Sequence, residues 1–355
     1  MRLLLQGQDT VECAYFLVPD VSCLLDFEKL FAEREALRLS KSRKPLPIRL
    51  GCEEFMLASH GTRSGYPFLI ENDAFSIQFG EFNKPSFFVT FRSMALWHFG
   101  AWGMHQRFMA WADSVGLSPC QPERLSRVDF TFDYFLPVLD FDEDNFVTGF
   151  DKDNQHRKNR KIQGFFFGGG DLLLRIYNKT DEIEEKSAKT WFYDLWGMDN
   201  DVWRIEWQTR KVWLRLVGIR TFENLKERQG DLLRILVNDH TSLRIKTEDS
   251  NRSRWPLHPL WQDLIERVSQ MDGLGVVREM DMPGLLDERQ MRIAISVYGY
   301  LKRIAAIKCM QRDQPMIKHD DALNHLGILL NRVHDPLTWQ TDVERRITEM
   351  RLGEW

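Results

Sequence analysis

Ser126-Arg127-Val128-Asp129-Phe130-Thr131-Phe132-Asp133-Tyr134 alternates polar with apolar residues along its length. Two later stretches repeat the pattern: Leu172-Leu173-Leu174-Arg175-Ile176-Tyr177-Asn178-Lys179 and Trp203-Arg204-Ile205-Glu206-Trp207-Gln208-Thr209-Arg210. Strand side chains repeat every two residues, so positions i, i+2 and i+4 share a face. The polar face of the first strand collects Arg127, Asp129, Thr131 and Asp133. That of the second carries Arg175, Tyr177 and Lys179, and that of the third Arg204, Glu206, Gln208 and Arg210. The opposite faces are mostly Val, Phe, Leu, Ile and Trp and read as core. If the three strands share one sheet, its open face holds three carboxylates, a tyrosine and several cations. That set equips a site for metal-assisted phosphoryl transfer with a tyrosine nucleophile.

Around this centre the signals are mixed. Thr10 to Leu17, Phe68 to Ile70, Phe75 to Phe79 and Pro85 to Phe91 read as strands, with a turn at Glu71-Asn72-Asp73. Val21 to Leu39 carries helical spacing, and Ser93 to Val115, dense in Trp and Phe, reads as a buried packing helix. The charged stretch Asp140 to Gln163 is expected to be a long loop, functional or disordered. Gly168-Gly169-Gly170-Asp171 predicts a hairpin turn into the tyrosine strand; no Lys-Ser/Thr follows to make it a phosphate-cradling loop. Thr180 is expected to cap a helix through Glu182, Glu184 and Lys189, and Thr221 another towards Asn238. Past 220 strand signals fade. Residues 258–271, 287–313, 318–334 and 338–351 read as helices, with breaks at Gly273-Leu274-Gly275, Pro283-Gly284 and Pro336. The expected organisation is α+β: an N-terminal α/β region at 1–120, a mostly antiparallel catalytic core at 121–220, and a mainly helical domain at 221–355.

Across 355 residues, 43% are hydrophobic and 28% charged, ordinary for a soluble globular chain. A formal net charge of −4 argues against non-specific coating of nucleic acid, which needs a strong basic excess. Local basic runs remain, at Lys152, Arg157, Lys158, Arg160 and Lys161 and at Arg244, Lys246, Arg252 and Arg254; taken alone, each reads first as a solvated loop. The five cysteines are scattered without a Cys-x-x-Cys pair, which fits a reducing cytosol. No signal peptide or membrane-length apolar run is present, so a cytoplasmic location without membrane contact is expected.

Asp129, Asp133 and Glu206 are candidate ligands for Mg²⁺ or Mn²⁺, which favour hard oxygen donors. The competing reading pairs these acids with Arg127, Arg175, Arg204 and Arg210 in a surface lattice. Tyr177 is the candidate nucleophile. A phenol with a pKa of about 10 needs a metal or cations such as Arg175 and Lys179 to favour its ionised form. The competing reading is a half-exposed strand tyrosine, common in sheets. Tyr134 falls on an apolar face and Tyr193 among Trp191 and Trp196, so neither is placed as well.

Gly164-x-x-x-Gly168, Leu174-Arg175-Ile176-Tyr177-Asn178-Lys179 and Arg204-Ile205-Glu206, preceded by Arg127-x-Asp129-x-x-x-Asp133, resemble rolling-circle replication initiators of the plasmid Rep_trans class. That class includes related conjugative relaxases and filamentous-phage replication proteins. The resemblance covers roughly 120–215, with looser similarity at Gly7-Gln8-Asp9-Thr10 and at Asn251 to Pro256. It implies a core related to HUH-type and RRM-like Rep folds, although the chain has no His-hydrophobe-His motif, so carboxylates would replace the histidines. It also implies nicking of one origin strand, extruded or single-stranded, with a 5′-phosphotyrosyl intermediate. Tyr177 takes the nucleophile's place, Glu206 and Asp129 the metal places, and Asp133 a third. Arg175 and Lys179 would neutralise the phosphate. Arg127, Arg204, Arg210, Lys158, Arg160, Lys161, Arg252 and Arg254 are expected to contact DNA. A host helicase, a polymerase and a second copy of the chain are the implied partners. The rivals are a conjugative relaxase with the same chemistry, a water-using metal nuclease, and a non-catalytic DNA-binding regulator.

Overall fold

The computed structural model describes residues 1–40, 44–158, 160–273 and 282–351. The chain opens with β1 (Arg2–Pro19) and α1 (Phe27–Leu39), whose first turn is capped by Asp26 accepting from Lys29 N at 2.9 Å. Short strands follow: β2 (Leu46–Leu50), β3 (Glu53–Leu57), β4 (Phe68–Glu71), β5 (Phe75–Phe79) and β6 (Phe87–Phe91). In β4, β5 and β6 buried residues alternate with half-buried ones, the mark of a sheet with one face on the core. α2 (Ser93–Ser114) bends at Gly100 and leads to β7 (Leu117–Phe135).

After β7 come β8 (Phe146–Thr148), β9 (Asp153–Lys158), β10 (Lys161–Gly169) and β11 (Leu172–Asn178). The expected hairpin joins the last two: Gly169 pairs with Leu172, and Gly170 supplies the left-handed φ of 62° that the two-residue turn needs. α3 (Lys179–Glu182), α4 (Trp191–Trp196), β12 (Val202–Arg210) and α5 (Lys211–Leu216) complete the centre. α6 (Phe222–Arg234), β13 (Thr241–Leu243) and α7 (Pro259–Ser269) close this part of the chain. α6 starts where expected: Thr221 accepts from Asn224 N, and Asn224 accepts from Thr221 N, a reciprocal cap.

Eleven strands form one antiparallel sheet in the order β2-β3-β4-β5-β6-β1-β7-β12-β11-β10-β9. The fold is therefore α+β around a large antiparallel sheet, as the alternation predicts. The buried face of its centre carries Val128, Phe130 and Phe132 of β7, Ile205 and Trp207 of β12, Leu174 and Ile176 of β11, and Phe165 and Phe167 of β10. These share one core with Leu232 and Leu236 of the segment from α6 and with Trp261 and Leu264 of α7. The chain divides into two units, 1–281 and 282–355. Position 120 lies inside β7, and α6, β13 and α7 add residues to the core of the sheet, so that core is continuous across both expected boundaries. The second unit holds α8 (Met282–Arg312), α9 (His319–Val333) and α10 (Trp339–Arg351). α8 begins at Met282, so Pro283-Gly284 lies in its first turn rather than at a break, where a missing N–H costs nothing. The expected break at Gly273-Leu274-Gly275 extends outside the described residues. Among the described residues, no helix is long and apolar enough to cross a membrane.

Two local expectations are corrected. The stretch 140–163 is not a plain loop: β9 pairs with β10 along the sheet edge, and β8 pairs with β13. β9 reads Asp153-Asn154-Gln155-His156-Arg157-Lys158 and has no apolar face, because backbone bonds to β10 and polar side-chain bonds to Glu143 and Glu185 attach it, and charge on an edge discourages further strand addition. The helix after β11 is capped by Asn178, which accepts from Asp181 N at 3.1 Å, and not by Thr180. The Thr180 hydroxyl instead accepts from Val202 N at 3.1 Å.

The alternation predicts opposite outcomes for adjacent β12 residues. Trp207→Ala, which empties a fully buried site, should lower unfolding free energy by about 3–5 kcal/mol. Gln208→Ala, on the other face, should change it by no more than about 0.5 kcal/mol. Denaturant titration of the two variants reads both.

Candidate active site

Cross-strand register assembles the polar face into rows, and side chains directly opposite one another lie within contact reach. One row runs His156, Gly164, Tyr177, Arg204, Asp133 across β9, β10, β11, β12 and β7. The next runs Asn154, Phe166, Arg175, Glu206, Thr131. Gln208 and Asp129 face each other one row further on. The three sequence stretches are therefore neighbours in one sheet, with their polar residues on one side.

Tyr177 Oη reaches from its own row to the next and donates to Glu206 Oε2 at 2.7 Å. Arg175 Nη2 donates to the other oxygen of that carboxylate at 2.6 Å and lies 3.5 Å from Asp129 Oδ2. Arg127 grips Asp129 with two bonds, Nε to Oδ1 at 2.8 Å and Nη2 to Oδ2 at 2.5 Å, and reaches Glu12 Oε1 at 3.2 Å. Arg210 Nη1 stands 3.7 Å from the second Glu12 oxygen. Tyrosine, carboxylate and guanidinium thus alternate across the open face from Tyr177 to Arg210. Burial pushes the Tyr177 phenol well above its ordinary pKa, and the Glu206 charge pushes it further, with Arg204 opposing. Burial also raises Asp129, to about 6, against the pull of Arg127 and with a further push from Glu206.

Beneath the tyrosine end lies a second network. Arg204 has no exposed side-chain surface; its Nε and Nη2 donate to the two Asp133 oxygens at 2.6 and 2.8 Å, and its Nη1 lies 3.1 Å from Asp9 Oδ1. Trp196 Nε1 donates to Asp133 Oδ2 at 2.9 Å. Asp9 accepts from Ser93 Oγ at 2.7 Å and Trp97 Nε1 at 3.0 Å, and pairs with Lys189 at 3.2 Å. Burial alone would raise the Asp9 pKa, but Arg204, Lys189 and Lys179 outweigh it and hold the carboxyl below the ordinary range. The Phe192 ring lies 4.6 Å from the Arg204 guanidinium carbon. A small apolar cluster of Ile183, Phe192, Trp196 and Val202 closes over this end of the face.

The sequence-predicted residues therefore divide. Tyr177, Arg175, Glu206, Asp129 and Arg127 meet, with Arg210 at the far edge. Asp133 and Arg204 are buried together, so neither presents a group to solvent. Lys179 is almost fully buried and bonds Glu182, with its ammonium 5.7 Å from the Tyr177 ring centre. Lys158 is exposed and bonds Glu185; Arg160 and Lys161 are exposed at the β9–β10 turn. Arg252 pairs with Asp144 at 3.0 Å and Arg254 lies 3.9 Å from Asp249, both on exposed surface. The sequence reading did not assign Asp9, Trp97 and Lys189 to the site. Their signal lay in the early Gly7-Gln8-Asp9-Thr10 segment: a Cβ at Gly7 would fall 2.6 Å from the Trp97 ring, so only glycine lets that ring settle there.

As arranged, these acids do not fit a divalent ion. The Asp129 and Glu206 oxygens already face guanidinium or phenol groups, and Asp133 is committed to Arg204 and Trp196. Among the described residues, no group of three or more His, Cys, Asp or Glu side chains is placed to hold a metal ion. The cation between Asp129 and Glu206 is Arg175.

The buried pair gives a sharp expectation for stability. Arg204→Ala leaves Asp133 and Asp9 buried without their central cation, and should cost about 3–5 kcal/mol. A shift of the denaturation midpoint measures it.

No family model matches the chain, and no curated protein matches it. Among solved structures it is similar to a rolling circle replication initiator protein from Geobacillus stearothermophilus. The TM-score is 0.46 at 17% identity, over 78% of this chain and 99% of that one.

Proposed function

We propose that this chain is a DNA strand transferase that initiates rolling-circle replication, nicking one strand through Tyr177. The observation that carries the reading is the bond from Tyr177 Oη to Glu206 Oε2 at 2.7 Å, with Arg175 holding the other oxygen of the same carboxylate. A tyrosine bonded to a base that a third group orients is the arrangement an activated nucleophile needs. Because the phenol is held well above its ordinary pKa, it does not ionise beforehand. Glu206 takes the proton as Oη bonds to a backbone phosphorus. The bond from phosphorus to the 3′ oxygen breaks, that oxygen takes a proton from solvent to become a 3′-OH, and the 5′ phosphate stays esterified to Tyr177. Arg175, partly exposed and bonded to the same carboxylate as Tyr177, offers N–H donors to the phosphoryl oxygens as charge builds. The half-buried Tyr177 favours a single-stranded or extruded origin strand, whose backbone can descend onto the sheet. Mg²⁺ or Mn²⁺, expected from the sequence, would require Arg175 to withdraw from between Asp129 and Glu206.

The test uses the full chain with a single-stranded library of randomised sequence labelled at the 3′ end, with Mn²⁺ or with EDTA, resolved on a denaturing protein gel. Label carried on the protein band is the expected result, lost with Tyr177→Phe and slowed about 10²–10⁴-fold by Glu206→Gln. Cleavage without a labelled band would replace the reading with a water-using nuclease. Binding with neither would replace it with a non-catalytic regulator. Label transfer that persists in EDTA would show that Arg175 serves as the site's cation, and transfer that needs Mn²⁺ would show that it withdraws.

A further inference from the structure

Phe165-Phe166-Phe167 lies along β10, and alternation sends its members to opposite sides. Phe165 and Phe167 are core residues at 1% and 2% exposure, while Phe166 sits half-buried on the charged face between Arg175 and Asn154. Two residues earlier on the same face is Gly164, flanked in register by Tyr177 and His156. A Cβ at Gly164 would fall 2.8 Å from the Tyr177 Cβ and 3.0 Å from the Ile176 carbonyl oxygen, so this position admits glycine alone. The close approach seats the Tyr177 side chain directly against the β10 backbone, with no side chain on β10 between His156 and Tyr177. Beside Tyr177 and Phe166 lies a cavity of about 230 Å³, lined also by His156, Gln163 and Asn178, with the first turn of α3 at its end.

We propose that this cavity is a nucleobase subsite, in which one base beside the phosphate attacked by Tyr177 enters and stacks on Phe166. The inference rests on the strand-transfer reading for the position of the phosphate. A flat ring half-exposed among charged neighbours is a stacking platform, which accepts any base because every base has a π face. The amides of Gln163 and Asn178 carry donors and acceptors for base edges; Asn178 Oδ1 caps α3, which leaves its NH₂ for a base acceptor. Of the three acids at the α3 end, Glu182 bonds Lys179 and Glu185 bonds Lys158, and the cations Arg175 and Lys186 line the same cavity as Asp181. The cavity is smaller than the roughly 300–1,000 Å³ typical of drug-sized ligands, which suits one base and not two.

The experiment uses the full chain carrying Tyr177→Phe, which cannot form the covalent adduct, and two labelled pentanucleotides. Each has four dT, with either adenine or an abasic site at the centre, and binding is read by fluorescence anisotropy. The adenine strand should bind roughly 5- to 150-fold more tightly than the abasic one. Adding Phe166→Ala should shrink that ratio below about 2-fold, and Phe166→Trp should restore it. A ratio that survives Phe166→Ala, a near-unit ratio before it, or no measurable binding of either strand would each overturn the subsite. A thermal melt confirms that Phe166→Ala folds; if it does not, the Phe166→Trp ratio alone decides. Label transfer by the unmodified chain is read separately, so failure of the nicking reading leaves this result standing, and the reverse also holds.

Discussion

The Arg204 guanidinium is the constraint around which the polar face is organised. A charge without solvent exposure persists only when paired, since desolvation costs several kcal/mol per ion. Arg204 meets this through Asp133 on β7, which grips it with two bonds, and Asp9 on β1, which faces its remaining nitrogen. Each partner is tied elsewhere, Asp133 to Trp196 of α4 and Asp9 to Ser93 and Trp97 of α2. Three strands and two helices are thus committed to one cation. Tyr177 is directly opposite Arg204 on the next strand, so the position of its ring depends on that buried cluster.

This produces two different environments on one face. At the covered end charge is fully paired and serves position. At the open end the chain from Tyr177 through Glu206, Arg175, Asp129 and Arg127 is only partly covered, with Arg175 at 26% and Arg127 at 18% side-chain exposure. Water already reaches these cations, so they can bond an incoming phosphate oxygen with their free N–H groups while still holding the buried Asp129 and Glu206. The tyrosine stands at the boundary, held from below by a rigid network and open towards these cations.

The central sheet was legible because one-sided burial imprints a period of two, and β7, β11 and β12 carry it clearly. The same logic explains what was hidden. A polar face reads as solvent-facing, yet α4 and Trp97 cover one end of it, so Arg204 and Asp133 look like surface residues in sequence and are core residues in space. β9 was invisible because an edge strand bonded through its backbone needs no apolar pattern. Thr180 looked like a cap by residue type, but its hydroxyl is taken by β12, a tertiary bond that local sequence cannot register. Phe166 could be placed in a strand but not on the polar face, because three consecutive phenylalanines conceal which of them is the odd one out.

Arg175 decides what the open end can do. Two carboxylates that converge need a positive charge between them, or one takes up a proton; burial raises Asp129 most, and the Glu206 charge adds to it. Arg175 supplies that charge from the strand next to Glu206, which makes it part of the sheet rather than a diffusible ligand. A metal ion would place more charge in the same space but would first have to displace a guanidinium that already bonds Glu206. An incoming phosphodiester has the opposite effect, because it offers Arg175 a new anion and draws it towards the substrate. Withdrawal of Arg175 would free Glu206 Oε1 and strengthen that carboxylate as a base for the Tyr177 proton on its other oxygen. On the proposed strand-transfer reading, substrate binding and activation of the nucleophile would be coupled through a single side chain, with no change in the sheet that carries both.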